Sequence, residues 1–180
     1  MNTYISLLRG INVSGKNSIK MDALKNSFEQ LGFQNVKTYI QSGNIIFSHK
    51  KEDLQKLATR IKVQIQSDFS CDIPVQVFNS DKFKQIVSAN PFAKDSSKDS
   101  SFMHVTLLNT APEKVDLAAF ESKKAAGEEI IISGDVVYLY CPSGYGRTKL
   151  NNNFLENKLK VSATTRNWKT TLKLLELATA

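Results

Sequence analysis

The stretch that decides the fold covers residues 4–48 and reads YISLLRGINVSGKNSIKMDALKNSFEQLGFQNVKTYIQSGNIIFS. It begins with a short apolar segment followed by glycine, a pattern typical of a strand. Apolar residues at helical spacing between Leu24 and Leu31 then predict a helix. Gly32 predicts its end, because glycine adopts the left-handed conformation easily. Two apolar segments flanking Ser42 and Gly43 predict a β-hairpin.

The residues that follow complete a recognisable order of elements. Residues 52–68 carry an apolar helical stripe, and residues 73–78 predict another strand. The order β-α-β-β-α-β is the ferredoxin-like arrangement, in which two helices cover one face of a four-stranded antiparallel sheet. The polar run KDSSKDSS at residues 94–101 predicts a linker. We therefore expect a ferredoxin-like α+β subdomain at residues 1–92, a linker at 93–101 and a second α+β subdomain at 102–180.

The second half repeats this order with one difference. The pattern predicts a strand at residues 102–108, a helix at 112–126, a hairpin turning at Gly134 and Asp135, and helices at 150–159 and 168–178. The last helix takes the place of a fourth strand. The predicted fold class is therefore α+β, with a βαββαβ half packed against an incomplete βαββαα half.

Composition narrows the class of partner. The chain has 180 residues, a formal net charge of +7 and a pI near 9.4. A basic protein favours anionic partners, among them nucleic acid, nucleotides and phosphorylated metabolites. The sequence contains no apolar run long enough for a membrane helix and no recognisable signal peptide, so we expect a cytoplasmic protein without a membrane partner. Cys71 and Cys141 are expected to be reduced and buried.

The loop GINVSGKN at residues 10–17 resembles the phosphate-binding pattern GxxxxGK[ST]. Asn17 stands where that pattern needs a magnesium-binding hydroxyl, and the helix begins several residues after Lys16. An ATPase is therefore disfavoured, and binding of another anion or a purely structural loop remain open. The glycine-rich loop at residues 144–149 abuts a helix predicted to be capped by Asn151, and helix N-termini attract anions. An anion site and a purely structural helix cap with a solvated loop both remain open here.

Three longer stretches resemble a known family. They are LLRGINVSGKNSIKMDAL, LGFQNVKTYIQSGNIIF and YGRTKLNNNFLENKLKVSATTRNWKT, and they resemble the bacterial family called domain of unknown function 1697. Members usually have glycine at the position of Ser14 and serine at that of Thr148. The resemblance implies a two-part α+β fold and no established activity. It marks as polar motif positions, and so as candidate anion-binding residues, Arg9, Asn12, Lys16, Asn17, Gln41, Ser42, Asn44, Arg147, Lys149, Asn151, Arg166 and Asn167.

Three functions stay open at this point. The first is binding of a phosphate-bearing partner, nucleic acid more than metabolite, in a basic groove between the halves. The second is an enzyme acting on a small anionic metabolite, with Arg9 and Arg166 fixing the anion and Glu156 or Lys16 moving protons. The third is a non-catalytic interaction protein whose polar motifs join the halves. No catalytic set and no metal-ligand spacing is found, so we expect no metal and no cofactor.

Overall fold

The computed structural model describes residues 1–180 and divides into two units. The first unit comprises Met1–Gln85 together with Lys173–Ala180, and the second comprises Ile86–Leu172. The division therefore falls earlier in the chain than the linker expected at residues 93–101. That segment lies within the second unit, where two short 3₁₀ turns, Phe92–Lys94 and Ser100–Phe102, give it local structure.

The first unit has the ferredoxin-like arrangement that its sequence predicts. Its strands pair antiparallel in the order β2-β3-β1-β4. The elements are β1 (Asn2–Leu8), α1 (Met21–Gln30), β2 (Gln34–Tyr39), β3 (Asn44–His49), α2 (Leu54–Phe69), β4 (Val75–Asn79) and the start of α3 (Ser80–Ser88).

Both faces of the first sheet are apolar, since the alternating residues of β1 are buried on either side. Tyr4 and Leu8 face α1 and α2, and Ile5 and Leu7 face the other way. Phe47 of β3 lies at the centre of the helix-covered core and is fully buried. Its ring centroid is 4.3 Å from that of Phe33, 5.4 Å from Tyr4 and 5.7 Å from Phe28.

One edge of the first sheet is irregular. Strand β2 pairs only with β3, and its register shifts between Gln34 and Lys37. Asn35 has a φ of 51° within this segment. A shift of this kind is a β-bulge, which bends the strand and interrupts the regular row of hydrogen-bonding groups.

The second unit repeats the topology of the first, with strands in the order β6-β7-β5-β8. Its elements are β5 (Met103–Leu108), α4 (Leu117–Glu121), β6 (Glu129–Ser133), β7 (Val136–Tyr140), α5 (Asn152–Leu159), β8 (Ala163–Asn167) and the start of α6 (Trp168–Thr179). The fourth strand, β8, corrects the sequence prediction of an incomplete sheet. The helix predicted at residues 112–126 is also shorter, with five residues in α4.

The core of the second unit lies on one face of its sheet. Leu108, Val137 and Leu139 of the strands pack there against Phe120 of α4 and Leu155 of α5. Cys141 belongs to the same cluster, and burial raises the pKa of its thiol to about 11. Cys71 and Cys141 are both free and buried, as the sequence predicts.

Candidate functional site

The loop after β1 is held in shape by Asn12. The side-chain amide of Asn12 donates to the carbonyl of Ile19 at 3.0 Å and to that of Gln41 at 2.9 Å. Its oxygen accepts the backbone N–H of Ile19 at 2.8 Å. Asn12 therefore folds the loop and ties it to the β2–β3 turn, so the structure brings together two of the polar stretches found in the sequence.

Two other asparagines of these stretches have the same kind of role. Asn17 donates to the carbonyl of Gly10 at 2.9 Å and closes the loop. Asn44 is fully buried and donates to the carbonyl of Tyr39 at 3.0 Å and the hydroxyl of Ser42 at 2.8 Å. These amides are engaged in the scaffold, which leaves the cationic side chains as the groups of this loop that can reach a ligand.

The cations of this loop are placed at its surface. Lys16 and Lys20 are exposed and have no ion-pair partner in the chain, while Arg9 is partly buried and Gln41 is exposed. The loop also includes a short bridge between Val13 and Lys16. Lys16 therefore stands at the tip of an ordered turn.

His49, which stands alone in the sequence, is part of an ion cluster. Its Nε2 lies 2.9 Å from a carboxylate oxygen of Glu52, which also accepts a hydrogen bond from Arg60 at 2.8 Å. Arg60 also donates to the carbonyl of Leu31 and lies over the ring of Phe33. Burial would raise the pKa of Glu52, but the hydrogen bonds from His49 and Arg60 together hold that pKa below its usual value.

The Glu52→Gln variant is expected to be less stable than the wild type at neutral pH, with a difference that shrinks in acid. Because the folded-state pKa of Glu52 lies below the ordinary value of 4.5, its ionised form stabilises the fold above that pH. This contribution is lost as the pH falls through the folded-state value. Urea unfolding of both proteins at several pH values, from neutral to acid, measures the difference in their free energy of unfolding. Glu29→Gln, which alters an exposed pair with Lys25, is the control, and an equal pH dependence in both variants would contradict the prediction.

In the second unit, the glycine-rich loop leads directly into α5. Asn151 caps the helix, as predicted, and its side chain accepts the N–H of Phe154 at 3.0 Å. Residues Tyr145–Arg147 form a 3₁₀ turn. Arg147 and Lys149 are exposed and have no ion-pair partner in the chain. The loop thus presents two unpaired cations beside the N–H groups of a helix start.

Two polar stretches of the second unit, residues 145–152 and residues 164–167, contact each other on the helix-covered face of its sheet. The ring of His104 stacks on that of Tyr145 with centroids 4.7 Å apart. Thr165 donates to the side chain of Asn152 at 2.7 Å and lies 2.6 Å from the hydroxyl of Thr106. Since a hydroxyl has one proton, Thr106 donates to Thr165. A hydrogen-bonded chain therefore links β5, β8 and α5 next to His104.

His104 of β5 lies in this polar cluster, with its ring stacked on that of Tyr145. Burial lowers the pKa of His104, and a hydrogen bond with the backbone of Phe102 offsets part of that effect. The imidazole is therefore mainly neutral at pH 7. A lone histidine within an apolar strand carries no signal that could have marked this position.

The remaining candidates of the second unit take separate positions. Asn167 caps α6 by accepting the N–H of Thr170 at 2.8 Å. Arg166 pairs with Val105 and so points to the opposite face of the sheet from Thr165 and Asn167. Burial lowers the pKa of Arg166 to about 10, so it stays charged at neutral pH. Glu156 accepts the N–H of Ala163 at 2.9 Å, which joins α5 to β8.

A surface cavity in the second unit has no counterpart in the sequence prediction. Its volume is about 760 Å³, and it is lined by residues 110, 111, 113, 114 and 158–161. Three lysines face it, which makes it a candidate for anionic ligands.

No group of three or more His, Cys, Asp or Glu side chains could hold a metal ion. None of the helices has the length and apolar character needed to span a bilayer.

The two sheets, with matching strand orders and helices on one face of each, define an α+β protein made of two ferredoxin-like units. The chain belongs to the family described as Protein of unknown function (DUF1697), which matches residues 1–138. Among solved structures, it is similar to the conserved bacterial protein SP0830 from Streptococcus pneumoniae. The two are 23% identical, with a TM-score of 0.71 and 98% of each chain covered. The comparison with curated proteins gives no match.

Proposed function

We propose that this protein binds a phosphate-bearing ligand, nucleic acid or nucleotide-like, through the loop that precedes α5. The observation that carries the proposal is the pair of exposed cations without ion-pair partners, Arg147 and Lys149, at the start of that helix. From Pro142 onward the chain has seven Lys and Arg against two Glu, a net charge of +5. A surplus of this kind favours phosphate.

The backbone of the loop supports the same proposal. A side-chain carbon added at Gly144 or Gly146 would meet no atom within 4 Å, so a ligand has open space beside the loop at both glycines. The unsatisfied N–H groups of a helix start carry about half a positive charge. Together with Arg147 and Lys149 they make a local field that attracts phosphate. Lys16 and Lys20 of the first unit add two more unpaired cations to the surface.

The salt dependence of binding to a labelled single-stranded oligonucleotide tests this proposal. Each phosphate contact contributes about −0.7 to the slope of log K against log salt. A complex with about four such contacts should therefore bind about 50-fold more weakly when salt is raised from roughly 50 to 200 mM. The double variant Arg147→Ala, Lys149→Ala should lower the slope by about 1.4. Fluorescence anisotropy at several salt concentrations measures both quantities.

A double variant with the same net charge provides the control. Lys94→Ala together with Lys123→Ala removes two exposed lysines of the same unit that lie outside the loop. The slope of this control should stay close to that of the wild type. Equal losses in the two double variants would mean that the basic surface attracts the oligonucleotide without a defined site. Binding that does not change with salt would reject the nucleic-acid form of the proposal.

A second function, catalysis on a small anionic metabolite, is favoured by one observation. His104 is neutral at pH 7 and lies beside Tyr145, two residues from Arg147, so a base is close to candidate anion-binding groups. Such an enzyme should be stabilised by its substrate through binding to the folded state. A thermal-shift screen of phosphorylated and carboxylated compounds tests this, and His104→Gln provides the comparison for any turnover that is found.

A further inference from the structure

The cavity at the C-terminal end of α5 is formed by two walls that belong to the second unit. One wall is the segment at residues 110–114, which follows β5, and the other is the segment at residues 158–161, which ends α5. The volume of about 760 Å³ lies within the range of about 300–1,000 Å³ that is usual for small-molecule sites. We refer to it as the lysine cavity, after Lys114, Lys158 and Lys160.

The walls of the lysine cavity are held together by paired hydrogen bonds. The N–H of Asn109 donates to the carbonyl of Ser162 at 3.0 Å, and the N–H of Ser162 donates to the side-chain oxygen of Asn109 at 3.0 Å. Leu159 lines the cavity and is anchored in the core of the unit. Because Asn109 and Leu159 anchor one end of each wall, part of the lining is ordered without a ligand, which lowers the cost of binding.

The charge of the lysine cavity is strongly positive. Lys114, Lys158 and Lys160 are exposed and have no ion-pair partner in the chain, and Glu113 is the only acidic residue in the lining. The C-terminal end of α5 contributes about half a negative charge. The three positive charges of the lysines exceed the combined negative charge of this helix end and the Glu113 carboxylate. The cavity therefore favours a ligand with more than one negative charge.

We propose that the lysine cavity binds a small multivalent anion that carries two or more phosphate or carboxylate groups on a partly apolar body. Flexible lysine side chains suit such groups, because each is a point charge that can follow the position of an oxygen. Leu159 and Val161 supply the apolar contact. This site is independent of the proposed phosphate site at residues 144–149, since the two lie at opposite ends of α5, about 12 Å apart along a helix of eight residues.

Calorimetric titration of the full chain with inorganic tripolyphosphate, citrate and monovalent acetate tests the proposal. Tripolyphosphate or citrate should bind measurably, and acetate should bind at least about tenfold more weakly. Lys158→Glu should weaken binding of the multivalent anion by about tenfold or more, because it turns attraction into repulsion. The two multivalent probes separate phosphate from carboxylate recognition.

The matched control is Lys94→Glu, which makes the same change of charge at an exposed lysine of the same unit, outside the lysine cavity and outside the loop at residues 144–149. It should leave tripolyphosphate or citrate affinity within about twofold of the wild type. Equal weakening in Lys94→Glu and Lys158→Glu, or no binding of either multivalent anion, would overturn the inference. Thermal unfolding without ligand checks that both variants are folded. Failure of the oligonucleotide proposal appears in a separate assay, through residues 147 and 149.

Discussion

Gly43→Ala should lower the free energy of unfolding by about 3 kcal/mol or more. Gly43 has a φ of +84°, a left-handed conformation that costs an alanine about 1–2 kcal/mol. A methyl group there would also lie 2.7 Å from Cβ of Leu8 and 3.2 Å from Cδ1 of Ile11. Overpacking of this kind adds about 1–3 kcal/mol. The variant would also disturb the contact, 2.8 Å long, between the N–H of Leu8 and the carbonyl of Gly43.

Urea unfolding of Gly43→Ala and Gly32→Ala separates the two costs. Gly32 has a similar φ of +81°, but a side-chain carbon there meets nothing within 4 Å. Gly32→Ala should therefore lose only about 1–2 kcal/mol, the cost of the backbone conformation alone. Equal losses in the two variants would show that the approach of Leu8 and Ile11 to the turn contributes no strain.

Phe47→Ala is expected to lower the free energy of unfolding by about 3–5 kcal/mol, the usual cost of removing a buried aromatic side chain. Phe47 is fully buried and has three aromatic neighbours, Tyr4, Phe28 and Phe33. These rings come from β1, α1 and the segment before β2, so a cavity at Phe47 would separate several elements at once.

Two further variants show whether the loss reflects this cavity. Phe47→Leu keeps most of the volume and should cost less than half as much as Phe47→Ala. Val63→Ala on α2 removes an apolar side chain that is 62% exposed and should change stability by no more than about 0.5 kcal/mol. A loss in Phe47→Ala as small as that in Val63→Ala would mean that the first unit repacks around the missing ring.

The order of elements in the first unit could be predicted because each of its signals is local. Apolar spacing marks α1 and α2, and glycine marks the end of α1, where Gly32 has a φ of +81° and donates to the carbonyl of Glu29. The antiparallel sheet then follows from the sequence order of the elements. These features need no information about distant contacts.

Strand β8 was missed because its sequence, ATTRN, has no alternation of apolar and polar residues. It is an edge strand, and hydroxyl groups such as that of Thr165 take part in a polar cluster where a core strand would carry aliphatic side chains. The helix predicted at residues 112–126 was too long for a related reason. Phe120 is the one buried residue of α4, so packing supports little more than a single turn.

The candidate sites divide in the same way. The caps of Asn151 and Asn167 were predictable, since a cap bonds to residues two or three positions along the chain. The contact between Asn12 and the carbonyl of Gln41 spans 29 positions and has no local signal. The lysine cavity joins Lys114 to Lys158, and neither lies in a motif. The helix caps could be predicted because their contacts are local in the chain. The lysine cavity could not, because its residues come together only in the folded structure.

The β-bulge at Asn35 affects the tendency of the protein to aggregate at high concentration. An exposed, regular edge strand is a template on which another chain can add a strand and start aggregation. On β2 the register shift and the exposed charge of Lys37 disfavour pairing with a strand of another chain. The first sheet can therefore carry two apolar faces and still resist fibre-like association along this border.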